Sequence, residues 1–200
     1  MPFQFKPCSL SNGIKIKDLY EIQPKIFDDS RGYFLETYSE REFFAAGLTM
    51  RFVQDNQSKS TKGVLRGLHF QTEYPQGKLI RTISGRVYDV VVDLRKGSQT
   101  FGKYFGVILD SEKQNMLYIP QGFAHGFLVL SDFAISNYKC TDFYNPKSEG
   151  GLMWNDPAIG IDWKSVAPDI EPLLSEKDGK HPAFNLTGNY FDINGKWLGN

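Results

Sequence analysis

A histidine beside a glycine, within a run typical of a strand, is the first feature of this sequence that could do chemistry. His69 lies in residues 63–71, which read GVLRGLHFQ. On a strand, alternation of period two would place Leu65 and His69 on one face and Arg66 on the other. Gly67 would let another group approach the imidazole closely, and histidine accepts protons near neutral pH. The run predicts a catalytic base or, as is more common for an isolated histidine, a core side chain bonded to a backbone carbonyl.

A second histidine and several basic residues could bind an anionic ligand. His125 lies in residues 120–127, PQGFAHGF, which also read as a Pro-Gly turn leading into a strand. The basic candidates are Arg31, Arg66, Lys78 and Arg81, and a solvated surface charge is the alternative for each. Arg66 is the exception, since burying an unpaired guanidinium in an apolar strand is costly. Its position predicts an anionic partner such as a carboxylate or a phosphate.

The spacing of the three histidines argues against a metal site. Jelly-roll metal enzymes commonly bind their ion through two histidines one residue apart on a strand, so that both face the same way. His69, His125 and His181 have no such spacing, and His181, in the polar loop 180–182, is predicted to be a solvated surface residue. The other two histidines could still bind a metal together with carboxylates, but metal geometry is specific, and we predict no metal.

Other motifs that carry chemistry are missing. The sequence has no Gly-x-Gly-x-x-Gly after a strand, no Gly-x-Ser-x-Gly and no His-Glu-x-x-His. Residues 97–103, GSQTFGK, match most of a phosphate-binding loop. Tyr104 follows where such a loop needs Ser or Thr, and no helix pattern follows, so we predict a turn between two strands.

The elements that would position these residues are short strands. Residues 39–47 predict one helix, with Ser39 and Glu42 as a capping box and Gly47 at its end. Aromatic and β-branched runs between turn signals predict strands at 33–38, 50–56, 64–71, 79–84, 86–94, 104–109, 115–119, 126–130 and 134–144. Many short strands without helical crossovers predict an all-β jelly-roll double sheet with one or two short helices, and exclude a doubly wound parallel sheet.

Length and composition predict one ordinary globular domain. The chain has 200 residues, of which 40% are hydrophobic and 23% charged, with 23 basic and 23 acidic side chains. This balance of charge argues against nonspecific nucleic-acid binding. The sequence contains no run of 18 apolar residues, so we predict no membrane span. The first six residues lack an apolar signal core, so we expect a cytoplasmic protein. Two cysteines, Cys8 and Cys140, are too few for a disulfide scaffold.

The C-terminal third has a different character from the strands. We interpret 1–184 as a single domain in which the proline-rich segment 145–184 forms an ordered wrap over the sandwich. Residues 185–200 are a C-terminal extension of unknown role. The Asn194-Gly195 pair predicts a hairpin there, and a frayed tail is equally compatible with the sequence.

Nine blocks of the sequence form a characteristic series. They are FDDSRGYFLE (27–36), FVQDN (52–56), GVLRGLHFQ (63–71), QGKLIR (76–81), SQTFG (98–102), PQGFAHGF (120–127), YK (138–139), SEGG (148–151) and LSEKD (174–178). In this order and with this spacing, the blocks resemble the dTDP-4-dehydrorhamnose 3,5-epimerase family. The resemblance covers roughly residues 15–184. Gln99 departs from it, since a proline is common there in the family.

The resemblance implies a cupin-like jelly roll, a homodimer, and neither a metal nor an organic cofactor. It implies an isomerase that converts dTDP-4-dehydro-6-deoxy-D-glucose into dTDP-4-dehydro-L-rhamnose, on the route to dTDP-L-rhamnose for surface polysaccharides. No nucleic acid or membrane partner is implied.

The resemblance also implies a role for each site residue. His69 is the base, Asp178 holds its ring through a hydrogen bond, and Tyr138 returns a proton on the opposite face of the sugar. Lys78 stabilises the enolate oxygen, with neutralisation of a phosphate as the alternative. The substrate-binding residues implied are Arg31 and Arg66 for the diphosphate, Phe34 and Glu36 for the thymine, and Gln54, Asn56, His125, Glu149 and Lys177 for the remaining nucleotide and sugar contacts.

Three other functions remain open from the sequence. An enzyme that epimerises a single carbon of a related dTDP-4-keto sugar would use the same residues. A sugar-nucleotide binding module would bind the ligand without turnover, although it has no need for a base, an orienting carboxylate and a tyrosine together. A metal-dependent dioxygenase on the same scaffold would lose activity when a chelator is added.

Overall fold

The computed structural model describes residues 2–199. Its regular elements are almost all β-strands. No helix in this range is long and apolar enough to cross a membrane. The helices are α1 (Glu40–Ala45) and α2 (Trp163–Val166), with a 3-10 turn at Asp178–Lys180. The strands are β1 (Phe3–Ser9), β2 (Lys15–Pro24), β3 (Ile26–Asp29), β4 (Gly32–Leu35), β5 (Gln54–Thr61), β6 (Leu65–Gln71), β7 (Lys78–Ser84), β8 (Arg86–Asp93), β9 (Tyr104–Asp110), β10 (Met116–Ile119), β11 (Phe123–Val129), β12 (Phe133–Cys140) and β13 (Glu149–Gly151).

Two antiparallel sheets form the body of the protein. The six-stranded sheet has the order β1-β2-β10-β7-β12-β5, and the five-stranded sheet has the order β13-β6-β11-β8-β9. Strands β3 and β4 form a separate hairpin. The predicted double-sheet jelly roll with short helices is therefore confirmed.

Strand β8 shows why the five-stranded sheet is apolar on both faces. Val87 and Val91 point into the core between the two sheets. Tyr88 and Val90 point the other way, into a second core that the C-terminal wrap covers with residues such as Trp163. A strand buried on both faces needs a nearly continuous hydrophobic run, which is why 86–94 was the clearest strand in the sequence.

Helix α1 forms where the sequence predicts it, but without the predicted capping box. Ser39 is the N-cap residue, but its side chain makes no capping hydrogen bond. The C-terminus closes as predicted at Gly47, whose φ is +85°. The N–H of Leu48 donates to the carbonyl of Phe43 (2.9 Å), and that of Gly47 donates to Phe44 (2.9 Å), as in a Schellman motif.

The sequence prediction misses the N-terminal strands and misplaces β5. Strands β1 to β3 were not predicted, and β5 begins at Gln54 rather than at residue 50. Its sequence, QDNQSKST, is polar on both faces. Strand β5 is the edge of its sheet and faces a cavity, so it lacks the apolar alternation from which strands are recognised.

Residues 185–199 form an ordered turn rather than a frayed tail. Phe191 pairs with Trp197 across a bridge. The N–H of Asp192 donates to the carbonyl of Lys196 (2.7 Å), with Asn194 and Gly195 at the turn. The hairpin alternative of the sequence analysis is thus the one that the structure adopts.

Candidate active site

A cavity of about 360 Å³ opens between the two sheets at one end of the sandwich. Both sheets contribute polar side chains to its walls. The predicted site residues that line it are Gln54, Asn56, Arg66, His69, Lys78, His125, Tyr138 and Glu149.

A bulge in β6 determines which side chains of that strand face the cavity. His69 pairs with His125, but Arg66 pairs with Phe127, so two residues of β6, Gly67 and Leu68, oppose the single residue Gly126 of β11. The extra residue lies near Gly67, whose φ is +114° and where a Cβ would lie 2.7 Å from the backbone of β11. The prediction that Arg66 and His69 point to opposite faces is therefore wrong, because the bulge turns both side chains into the cavity.

His69 is held by a buried carboxylate from the distant wrap. Its Nε2 lies 2.5 Å from Oδ1 of Asp178, which is itself 7% exposed. The hydroxyl of Ser175 donates to Oδ2 of Asp178 (2.7 Å), and the N–H of Gly67 donates to Oδ1 (3.4 Å). With Nε2–H directed at the carboxylate, the lone pair on Nδ1 is the one that can accept a proton.

The environment sets the protonation states of this pair. Burial lowers the pKa of His69 below its usual value of 6.5, and the charge of Asp178 opposes this without cancelling it. Burial alone would raise the pKa of Asp178, but the hydrogen bond from Ser175 and the interaction with His69 outweigh burial and lower the pKa. At neutral pH the pair is a neutral imidazole beside a carboxylate, which is a base ready to accept a proton.

A second histidine–aspartate pair lies on the neighbouring strands. Nε2 of His125 is 3.0 Å from both carboxylate oxygens of Asp89, which is completely buried. His125 is the cross-strand neighbour of His69, so the two imidazoles lie side by side on one wall. The sequence analysis missed Asp89, although an aspartate within the apolar run RVYDVVVD was a signal for a buried polar partner.

The opposite wall carries a phenol and an amine. Tyr138 and Lys78 lie on β12 and β7 of the six-stranded sheet, and both line the cavity. Burial raises the pKa of the Tyr138 phenol, so it stays protonated at neutral pH. Burial lowers the pKa of the Lys78 ammonium, which forms no ion pair within residues 2–199. An anionic ligand oxygen would supply the partner that this ammonium lacks.

Arg66 is not buried, although the sequence predicts a guanidinium buried within an apolar strand. The residue is exposed, and its Nε donates to the hydroxyl of Ser60 (3.1 Å). No carboxylate pairs with it in the part of the chain that the structure describes. Its guanidinium remains available to a ligand in the cavity, which Arg66 lines.

Glu149 and Lys177 meet at the cavity rim. Nζ of Lys177 lies 2.5 Å from Oε2 of Glu149, which also accepts a hydrogen bond from the hydroxyl of Tyr144 (2.7 Å). Tyr144 is 53% exposed and lines the cavity, and the sequence analysis did not single it out. An exposed tyrosine in the strand-ending sequence FYNP was the available signal.

The structure places three predicted binding residues away from this cavity. Arg31, Phe34 and Glu36 lie on or directly after the β3–β4 hairpin and do not line it. Phe34 is 66% exposed, and Arg31 is held by a two-point ion pair with Asp29 (2.6 Å and 3.2 Å). The hairpin thus presents an aromatic ring and a fixed guanidinium to the outside of its own chain.

His181 is not the solvated residue that the sequence predicts. Its side chain is 10% exposed, its Nε2 lies 3.7 Å from Oδ1 of Asp178, and this nitrogen is buried without a hydrogen-bond partner. The wrap folds its loop against Gly151 rather than into solvent. Among residues 2–199, His69, Asp178 and His181 form the group whose ligand atoms, all within 4.8 Å, could hold a metal ion.

Comparison with known proteins identifies close relatives. A family profile described as dTDP-4-dehydrorhamnose 3,5-epimerase matches residues 13–185. A curated protein of that name from Methanothermobacter thermautotrophicus is 52% identical over 176 residues, which are 88% of this chain and 91% of the relative.

Solved structures show the same similarity. The dTDP-6-deoxy-D-glucose-3,5-epimerase RmlC of Legionella pneumophila, in complex with dTDP-4-keto-L-rhamnose, matches with a TM-score of 0.84 and 44% identity, over 93% of this chain and 95% of its own. ChmJ, a 3'-monoepimerase from Streptomyces bikiniensis in complex with dTDP-quinovose, matches with a TM-score of 0.79 and 35% identity, over 89% and 86% of the two chains.

Proposed function

The chain belongs to the dTDP-4-dehydrorhamnose 3,5-epimerase family of isomerases, and on that premise we propose its reaction and the residues that carry it. It inverts carbons 3 and 5 of dTDP-4-dehydro-6-deoxy-D-glucose and gives dTDP-4-dehydro-L-rhamnose, in dTDP-L-rhamnose biosynthesis. The observation that carries the proposal is that His69 and Tyr138 come from opposite sheets and line one cavity.

The chemistry of a ketone explains why no redox cofactor is needed. A keto group at carbon 4 acidifies the hydrogens on carbons 3 and 5, because loss of either proton gives an enolate. The protein must supply a base on one face of the sugar and an acid on the other face. It must also place a positive charge near the enolate oxygen. Inversion follows when the proton leaves one face and another arrives at the opposite face.

His69 is the base in this proposal. Its Nδ1 takes the proton from carbon 3 or 5, and the C–H electron pair moves into the enolate. Asp178 fixes the ring through Nε2–H and stabilises the imidazolium that forms. The imidazolium then loses its proton to solvent before the second carbon reacts.

Tyr138 is the acid, and Lys78 stabilises the oxyanion. The phenol donates its proton to the opposite face of the carbon, the enolate returns to the ketone, and the tyrosinate regains a proton from solvent. The raised pKa of Tyr138 keeps the acid loaded at neutral pH. The unpaired ammonium of Lys78 carries a positive charge that stabilises the negative charge developing on the enolate oxygen.

The remaining polar residues of the cavity bind the nucleotide and hold the sugar in register. We assign the diphosphate to Arg66, and the contacts of the sugar and nucleotide to Gln54, Asn56, His125, Glu149 and Lys177, which surround the base and the acid. Binding energy from the nucleotide, which does not react, positions the hexose between His69 and Tyr138. Asp89 keeps the imidazole of His125 oriented for this task.

A second copy of the chain completes the site. Arg31, Phe34 and Glu36 lie outside their own cavity on an exposed hairpin that also presents Phe27 and Tyr33. Isolated proteins rarely expose so many aromatic rings in one place without a partner. In a symmetric homodimer each hairpin would reach the other subunit's cavity, where Phe34 stacks on thymine, Glu36 bonds it and Arg31 meets the diphosphate.

Mixing two impaired variants, at a substrate concentration far below the wild-type KM, tests this shared site. We expect Arg31→Ala to raise KM about 10-fold to 100-fold through loss of a charged hydrogen bond, and His69→Ala to be inactive. After subunit exchange at equal concentrations, half the dimers pair the two variants, and each of these has one intact site, which restores about a quarter of the wild-type activity. Activity that stays at the level of the unmixed variants would show that Arg31 acts in its own subunit.

The pH dependence of kcat/KM tests the state of the base. The neutral imidazole is the active form, so activity falls as the pH drops through the pKa of His69, and we expect this acid limb below 6.5. The negative charge of Asp178 raises that pKa, so Asp178→Asn should move the limb to lower pH. It should also lower the plateau about 100-fold or more, because a neutral amide neither fixes the tautomer of the imidazole nor stabilises the imidazolium. A limb that stays in place would argue against the pair.

Deuterium labelling tests the reaction itself. In deuterated buffer, we expect NMR to show label from solvent at both carbon 3 and carbon 5 of the product, also after exhaustive treatment with EDTA. Label at one carbon only would establish the alternative that the similarity to a 3'-monoepimerase favours. Binding of the nucleotide sugar without any label would indicate a binding module, and activity lost to EDTA would indicate a metal enzyme at His69, Asp178 and His181.

We also place the reaction in the reducing environment of the cytoplasm. Cys8 and Cys140 are both buried and free. Free buried thiols are typical of proteins that never meet an oxidising compartment. Burial also raises the pKa of Cys8 to about 12, so it is unreactive.

A further inference from the structure

The C-terminal segment 186–199 lies beyond the part of the chain that the family profile matches, yet it belongs to the wall of the active-site cavity. The profile ends at residue 185. Phe191 lines the cavity and is only 1% exposed. The segment therefore contributes to the cavity wall a residue that the family profile does not include.

Backbone hydrogen bonds fix Phe191 beside the end of β8. Its N–H donates to the carbonyl of Leu94 (3.2 Å), and its carbonyl accepts from the N–H of Lys96 (2.7 Å). Trp197 closes the turn and meets the Phe191 ring edge to face, with centroids 5.1 Å apart. Phe191 is thus held as firmly as a residue of the sheet.

From this position Phe191 supports the strand that carries the base. Its ring meets that of Phe70 edge to face at 5.7 Å, and Trp197 stacks on the same ring at 5.9 Å. Phe70 follows His69 directly on β6. Packing on Phe70 therefore limits how far the backbone of His69 can shift relative to the six-stranded sheet.

The same segment supports the loop that leads to His125. A Cβ on Gly195 would lie 2.7 Å from Gln121, so the turn rests directly on that residue. A Cβ on Gly122 would meet the side chain of Arg95 at 2.5 Å and the backbone of Gly195 at 3.0 Å. The guanidinium of Arg95 in turn lies 4.5 Å from the ring centre of Phe123, which lines the cavity.

We propose that residues 186–199 support the active site, and that Phe191 is a positioning residue. It holds the wall that carries His69 and His125 at a fixed separation from the wall that carries Tyr138. This inference rests on the proposed function, since it concerns the alignment of that base and that acid. A segment that only protected the core would stabilise the protein without changing the reaction.

The test is Phe191→Ala, with Leu198→Ala as the matched control, because Leu198 belongs to the same segment and is 50% exposed. We expect Phe191→Ala to lower kcat/KM about 10-fold to 100-fold, mostly in kcat, since small misplacements of reacting groups have effects of this size. We expect Leu198→Ala to stay within about twofold of the wild type. The milder Phe191→Leu should recover most of the lost activity, and it carries the test if Phe191→Ala does not fold.

The ratio of deuterium exchange to inversion separates positioning from stability. Exchange needs only His69, whereas inversion also needs Tyr138 at the right distance, so misalignment should raise the ratio in the Phe191 variants. Loss of folded protein would lower both rates equally. Wild-type kcat and ratio in a folded Phe191→Ala variant with a lower Tm would overturn the proposal. Failure of the wild type to exchange at all would instead overturn the proposed function.

Discussion

The His69→Gln variant is expected to lose about 10³-fold to 10⁴-fold in kcat, the largest effect that we predict for a single substitution. The amide nitrogen of glutamine reaches the position of the imidazole Nε2 and can still donate a hydrogen bond to Asp178, but the amide has no lone pair that accepts a proton near neutral pH. Because one base serves both carbons, deuterium incorporation at carbon 3 and at carbon 5 should disappear together. The measurement is turnover and label by NMR in deuterated buffer.

Affinity for dTDP is the control for this variant. The nucleotide binds through other residues of the cavity, so calorimetry should give a Kd within about threefold of the wild type. Weak binding together with weak turnover would indicate a disturbed cavity rather than a missing base. Exchange that continues at the wild-type rate at either carbon would show that another group removes that proton.

The Tyr138→Phe variant should separate proton removal from inversion. Phenylalanine keeps the ring and loses the proton that reaches the second face, so we expect inversion to fall about 10²-fold to 10³-fold. His69 can still remove a proton and return one from solvent to the same face. Deuterium should therefore enter the substrate with retained configuration, faster than inverted product forms.

Tyr144→Phe is the matched control for this prediction. Tyr144 lines the same cavity, but its hydroxyl donates to Glu149 at the rim. Removing that hydroxyl should affect mainly KM and leave the ratio of exchange to inversion unchanged. If Tyr144→Phe raised this ratio and Tyr138→Phe did not, the acid would have to be reassigned.

The parts of the fold that sequence predicted are those that depend on local pattern. Strand β8 is mostly apolar, because one side faces the sandwich core and the other faces the wrap. Helix α1 ends where Gly47 permits a positive φ. Both signals lie within a few residues of the structure they specify, so one sequence is enough to find them.

The parts that sequence did not predict depend on contacts between distant residues. The face to which Arg66 points is set by a bulge against β11, and nothing within β6 except Gly67 indicates it. Strand β5 is polar because it lines a cavity, a property of the assembled sandwich. The burial of His181 likewise arises only when the wrap folds back onto β13.

The pairing of His69 with Asp178 was expected only from the family resemblance. His69 and Asp178, 109 residues apart, come within 2.5 Å, and no periodicity could have paired them. Asp89 was missed because the resemblance blocks did not include it, although its burial within an apolar strand marks a polar partner. Phe191 was missed because the resemblance stops before it, and its place in the cavity wall depends on bonds to Leu94 and Lys96.

In the proposed reaction, the imidazole of His69 and the phenol of Tyr138 face each other across the same sugar ring. A crystal structure with dTDP-L-rhamnose, which has no ketone at carbon 4 and so is not turned over, measures this directly. We expect the pyranose between the two side chains, with Nδ1 of His69 and the hydroxyl of Tyr138 on opposite faces and each about 3–3.5 Å from carbon 3 or carbon 5. A sugar bound outside this gap, or with both side chains on the same face, would show that His69 and Tyr138 are not the base and the acid of this reaction.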